Sequence, residues 1–164
     1  LLKSDLTNRK VFDIVNQSNS VEQLNADLTN YLKQTLKDDP SAEKPEGMSD
    51  DDLVKLQVSQ IANPWMRYFI KHDPARTLEN VKCPVLALNG EKDLQVPPKE
   101  NLEAIKKSLA KGGNKKVTAK ELPNLNHLFQ VCTTGSPSEY ATIEQTFSPT
   151  ALTEILSWIQ AQTK

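Results

Sequence analysis

The chain has 164 residues and balances 20 basic against 21 acidic side chains, leaving a net charge of -1. That length suits about one domain, and the even charge argues against nucleic acid as a partner, which calls for clustered basic side chains. No apolar run approaches the roughly 20 residues of a membrane-crossing helix. Five glycines exclude a collagen-like chain, and two cysteines exclude a disulfide scaffold.

The chain opens at Leu1 directly into helical pattern, and its first methionine is Met48. No signal peptide precedes the pattern, so the sequence reads as a piece of a longer chain. Residues 1–72 carry only helical signals. Leu6, Val11, Phe12, Ile14 and Val15 fall near one helical face, and 16–20 is a polar break. Ser20-Val21-Glu22-Gln23 has the form of a capping box and opens a helix with Val21, Leu24, Leu28, Tyr31, Leu32 and Leu36. Residues 37–47 hold no apolar side chain larger than alanine and read as an exposed loop. Ser49 caps a third helix with Leu53, Val54, Leu56, Val58 and Ile61. Asn63-Pro64 ends it and starts a fourth with Trp65, Met66, Tyr68, Phe69 and Ile70. An apolar stripe at this spacing is core first and pocket lining second. His72 stands at that helix's end, where the dipole accounts for it.

The pattern changes near residue 80. Residues 81–88, Val-Lys-Cys-Pro-Val-Leu-Ala-Leu, form an apolar run without alternation, as in a parallel strand covered on both faces. Pro97-Pro98 precedes a helix with Leu102, Ile105 and Leu109, closed by Gly112-Gly113. Residues 116–122 read as a second strand, and Ser148-Pro149 opens a last helix with Ala151, Ile155, Leu156, Trp158 and Ile159. Strand, helix, strand, helix predicts an α/β fold with a parallel sheet. The organisation expected is a helical segment at 1–72 and an α/β portion at 73–164. Two parallel strands leave their edges open, so the second part reads as the end of a larger sheet.

Two loops follow the predicted strands, Asn89-Gly90-Glu91-Lys92-Asp93-Leu94-Gln95-Val96-Pro97 and Leu122-Pro123-Asn124-Leu125-Asn126-His127-Leu128-Phe129. In open α/β sheets the site lies beyond the carboxyl ends of the strands. Neighbouring parallel strands would therefore bring Asp93 and His127 together. An Asp that holds one imidazole nitrogen leaves the other free as a base, which is two-thirds of a nucleophilic triad. Taken alone, Asp93 reads as a turn or cap residue and His127 as a polar surface residue. Cys83 and Cys132 sit in no C-x-x-C and near no histidine at ligand spacing, and read as free, buried or half-buried thiols. No G-x-S-x-G is present. Ser136 and Ser138 follow the histidine, and Pro137 lacks the N–H an oxyanion donor needs, so they read as caps of a short helix.

The run Cys83-Pro84-Val85-Leu86-Ala87-Leu88-Asn89-Gly90-Glu91-Lys92-Asp93-Leu94-Gln95-Val96-Pro97-Pro98, with Asn126-His127-Leu128-Phe129 after it, resembles the C-terminal half of α/β-hydrolases. The nearest branch is similar to dienelactone hydrolase and to the catalytic domain of prolyl oligopeptidase. The resemblance spans about residues 64–162, and 1–63 resembles a helical cap insertion. It implies a serine hydrolase, with Asp93 as the acid and His127 as the base in the order Ser, Asp, His. It also implies a small ester-like substrate and no metal or organic cofactor. Trp65, Met66 and Phe69 become candidate pocket residues. Secretion or the periplasm are the locations it suggests, though the compartment stays open.

The elbow serine of such an enzyme would lie before Leu1, so this chain alone is expected to be inactive. The competing class is a noncatalytic binding or assembly module. Open strand edges also lead to an expectation of self-association.

Overall fold

The computed structural model describes the backbone of residues 2–39 and 45–163, with side chains from residue 8 onward. The expectations for the Leu6 side chain and for residues 40–44 of the 37–47 loop fall outside what is described. The chain divides into two compact units, Leu1–His72 and Asp73–Lys164.

The first unit consists of α1 (Leu2–Gln17), α2 (Val21–Asp38), α3 (Asp50–Ala62) and α4 (Pro64–Lys71). Its helices start where short polar side chains satisfy free amides: Ser20 accepts from Gln23 N, Ser49 from Asp52 N and Asn63 from Met66 N. Val11 and Val15 of α1, Leu24, Leu28 and Leu32 of α2, and Val54 and Val58 of α3 form its core. Burying such side chains contributes about 1.5–3 kcal/mol each. Phe12 lies about 100° around the helix from Val11. It is 48% exposed, against the expectation that it shares the apolar face.

The aromatic stripe of α4 is the larger correction. Trp65, Tyr68 and Phe69 are 66%, 71% and 62% exposed, so they are not core, while Ile70 packs inward and Met66 is half-buried. Residues three and four apart share a helix face, and here that face also carries His72. Trp65 stacks on Phe69 with centroids 5.4 Å apart, and Tyr68 on His72 at 5.8 Å.

The second unit is α/β. Its elements are α5 (Pro74–Leu78), β1 (Val85–Gly90), α6 (Pro98–Lys111), β2 (Val117–Leu122), a 3-10 turn (Pro137–Thr142) and α7 (Pro149–Gln162). β1 and β2 pair in parallel, from Val85 opposite Val117 to Gly90 opposite Leu122. The strand therefore starts later and ends later than the apolar run suggests. Residues 81–84 are tied instead to the α6–β2 turn, where the Asn114 amide donates to Val81 O and Cys83 O at 3.0 and 2.9 Å. Asn89 and Gly90 stay in the ladder. The short α5 has no apolar periodicity and was not expected; Asp73 caps it through Ala75 N.

On one side of the sheet, Trp158 Nε1 of α7 donates to Thr118 Oγ1 of β2 at 3.1 Å. Ala151 of α7 is fully buried beside Leu122 and Leu125. An apolar groove of about 530 Å³, lined by Leu86, Leu88, Phe129 and Trp158 among others, runs between β1 and α7. Among the described residues, no helix is long and apolar enough to cross a membrane.

Candidate functional site

The site lies at the carboxyl ends of the two parallel strands. On β1, Val85, Ala87 and Asn89 share one face by the two-residue period of a strand. The chain leaves the ladder after Gly90 and turns back on itself. Asp93 holds that turn: its Oδ1 accepts from Gln95 N at 2.9 Å and from Val96 N at 2.8 Å. This is the local bonding by which Asp stabilises turns. Its Oδ2 accepts from Asn89 Nδ2 at 3.1 Å and faces His127 Nδ1 at 2.9 Å. The turn role and the histidine contact, weighed as alternatives in the sequence, belong to the same carboxylate.

The histidine loop is built around Asn126, which has no exposed surface. Its Oδ1 accepts from Leu128 N and Gln130 N, both at 2.9 Å, and its Nδ2 donates to Gln130 Oε1 at 3.0 Å. A short antiparallel bridge, Leu125 to Val131, closes the loop behind it. His127 is thereby held at the tip. Phe129 takes a φ of 57°, an uncommon conformation for a bulky side chain. Its ring stacks on Phe147 at 5.4 Å, and its carbonyl accepts from Ser148 N at 2.8 Å.

Several contacts stitch the two loops together. A Cβ added to Gly90 would lie 2.3 Å from Leu125 O and 2.5 Å from Asn126 O, so only glycine lets the histidine loop pass this close. Glu91 Oε2 accepts from Asn124 N at 2.8 Å. Lys92 Nζ donates to Cys132 O at 3.3 Å and Thr133 O at 3.1 Å. Farther out, the Glu139 carboxylate accepts from Thr133 N, Thr134 N, Thr134 Oγ1 and Gly135 N. Led by the Thr134 side-chain bond and the backbone amides, these donors pull its carboxyl down to about 2.

The resulting pair is asymmetric. The Asp93 side chain is 4% exposed, whereas that of His127 is 37% exposed. With Nδ1 donating to the carboxylate, Nε2 carries the lone pair, and no hydrogen bond engages it among the described residues. An imidazole held this way accepts a proton at Nε2 and returns it.

The remaining candidates are placed elsewhere. Ser136 caps the 3-10 turn through Ser138 N, the capping role expected of it. His72 donates its own N–H to Tyr68 O at the end of α4. Trp65, Met66 and Phe69 sit on α4 in the helical unit. Both cysteines are free; Cys132 is buried, but Cys83 is exposed, against expectation, because it precedes the strand. Burial, and then the nearby Glu139 charge, raise the Cys132 thiol above its usual range. Among the described residues, no three of His, Cys, Asp and Glu cluster as metal ligands would.

The sequence reading did not single out Asn89 and Asn101. Asn101 Nδ2 donates to Asn89 Oδ1 at 2.6 Å, behind the carboxylate. The available signal was the period of two, which places a polar Asn89 on the same face as Val85 and Ala87. No protein-family model matches the chain, nor does any curated protein or solved structure, and the functional reading therefore rests on this geometry.

Proposed function

We propose that the chain carries the acid and base of a Ser-His-Asp triad in a serine hydrolase of the α/β-hydrolase kind, acting on ester-like bonds. One observation carries the reading: His127 Nδ1 lies 2.9 Å from the buried Asp93 Oδ2, at the carboxyl end of a parallel strand pair. Asp93 orients the imidazole and stabilises its protonated form. Nε2 of His127 takes the proton of a serine as that serine attacks the substrate carbonyl, then delivers it to the leaving group. The serine itself is supplied from outside these 164 residues.

The test is activity with and without the preceding sequence. The reading frame ahead of Leu1 is expected to hold a G-x-S-x-G. The extended protein should hydrolyse p-nitrophenyl acetate, and the 164-residue chain should not. His127→Ala should lower kcat roughly 10⁴-fold or more in the extended protein, as removal of a triad member does elsewhere. Turnover by the chain alone that disappears in His127→Ala, or an extended protein indifferent to that change, would sink the proposal. The exposed Trp65, Tyr68 and Phe69 face favours a second reading, a binding or assembly module, and the same activity measurement separates the two.

A further inference from the structure

An ionised carboxylate offers about four lone-pair sites. At Asp93 four donors fill them: the Gln95 and Val96 amides on Oδ1, and Asn89 Nδ2 and His127 Nδ1 on Oδ2. The imidazole therefore meets the one site that the other three leave. Two of those three are backbone amides of Asp93's own turn and follow from local chain geometry. The third is a side chain, and its direction is a tertiary matter.

Asn89 is buried, with 4% exposure, and its amide has one workable sense. Nδ2 donates to Asp93 Oδ2 and to Val96 O, each at 3.1 Å, while Oδ1 accepts from Asn101 Nδ2 at 2.6 Å. Turned by 180°, its carbonyl would face two acceptors and its NH₂ would face another NH₂. Asn101 sits in the first turn of α6 and completes the set from the far side.

We infer that Asn89, oriented by Asn101, is a positioning residue for the pair: it occupies the second lone pair of Oδ2 and so leaves His127 a single ring orientation. The catalytic meaning of this rests on the acid–base reading above. The relay itself is visible in the ring. Neither asparagine hydrogen-bonds to His127, so any response of that ring to Asn101 travels through Asn89 and Asp93.

The experiment is NMR of the ¹⁵N-histidine-labelled 164-residue chain, with His127 assigned through His72→Gln. The parent should show a low-field Nδ1–H proton. Asn89→Leu removes the donor that fixes the second lone pair of Oδ2, so the ring loses its single orientation and this proton should move upfield and exchange faster with water. Asn101→Asp replaces a donor with an acceptor and draws the Asn89 NH₂ away from Asp93, so it should shift the same proton in the same direction. Asn101→Leu should move it less, and it carries the test if the Asp variant does not fold. In the extended protein, Asn101→Asp should lower kcat by about 10²-fold with KM unchanged, the scale of a misplaced catalytic group. A His127 signal indifferent to both Asn101 variants overturns the relay and leaves the acid–base reading standing. A parent chain without the Nδ1–H signal overturns that reading itself.

Discussion

Replacing Asp93 with alanine removes the acceptor on which four hydrogen bonds converge, and its cost can be worked out donor by donor. The Gln95 and Val96 amides and the Asn89 carboxamide lose their partner in part-buried or buried surroundings. A stranded donor costs about 1–3 kcal/mol. His127, with 37% of its side chain exposed, turns to water instead. Water entering the space left by the carboxylate offsets part of the loss, so the expected destabilisation is about 3–6 kcal/mol. That is a large share of the roughly 5–15 kcal/mol that holds a domain. Asp93→Asn is milder. Its oxygen still serves the two amides, but its NH₂ meets the Asn89 and His127 donors, for about 2–3 kcal/mol. The two tryptophans make the assay specific, since Trp65 lies on α4 of the first unit and Trp158 on α7 of the second. In a Trp65→Phe background, urea unfolding followed by fluorescence reports the second unit alone. An alanine variant within about 0.5 kcal/mol of its parent, the range of an ordinary surface change, would refute the account. So would an asparagine variant as unstable as the alanine one.

Gly90→Ala drives a Cβ against Leu125 O and Asn126 O, so it should destabilise the second unit and weaken the His127 Nδ1–H signal. Urea unfolding and NMR check this, and a fully stable variant with that signal intact would contradict the close approach. Glu139 falls from an ordinary carboxyl value of 4.5 to about 2 in the folded chain, so its contribution is present above pH 4.5 and is lost as pH falls toward 2. Protection of the 133–135 amides, taken as their exchange relative to the intrinsic rate at each pH, should fall over that window in the parent and not in Glu139→Gln; equal protection profiles would show that the carboxylate does not hold the loop. Among the described residues β1 pairs only with β2, and Leu152, Leu156 and Ile159 of α7 are 54%, 56% and 48% exposed. Open edges and apolar faces drive association, so light scattering at micromolar concentration should find self-association, and a well-behaved monomer would count against it.

Local chemistry made much of this chain readable in advance. Ser20, Ser49, Asn63 and Ser148 each cap the helix that follows, because a short polar side chain satisfies amides only two or three residues away. The change from helical pattern to strand and helix in alternation required no long-range information, and the parallel pairing followed from the crossover between strands. Asp93 and His127 stood out because each follows a strand, and parallel neighbours deliver such loops to one edge.

Other features depended on neighbours distant in sequence. The face of α4 that carries Trp65, Tyr68 and Phe69 has a clean helical period, but a period shows only that a helix has two faces. Packing decided that Ile70 turns inward and the aromatic face outward. The strand at 85–90 was set by its partner at 117–122, and Asn114 drew residues 81–84 out of the ladder. Gly90 read as the start of the loop after the strand, yet it is a strand residue kept small by the passage of the histidine loop. Asn101 carried no signal at all, since its meaning lies in one bond to Asn89 across the fold. By itself the sequence placed the longer helices and the two strands to within a few residues and marked the two loops beyond the strands, because caps and periods act over a few residues. Only the tertiary structure decided which side chains complete the carboxylate's lone pairs, because hydrogen bonds between distant segments form only once packing has brought their ends together.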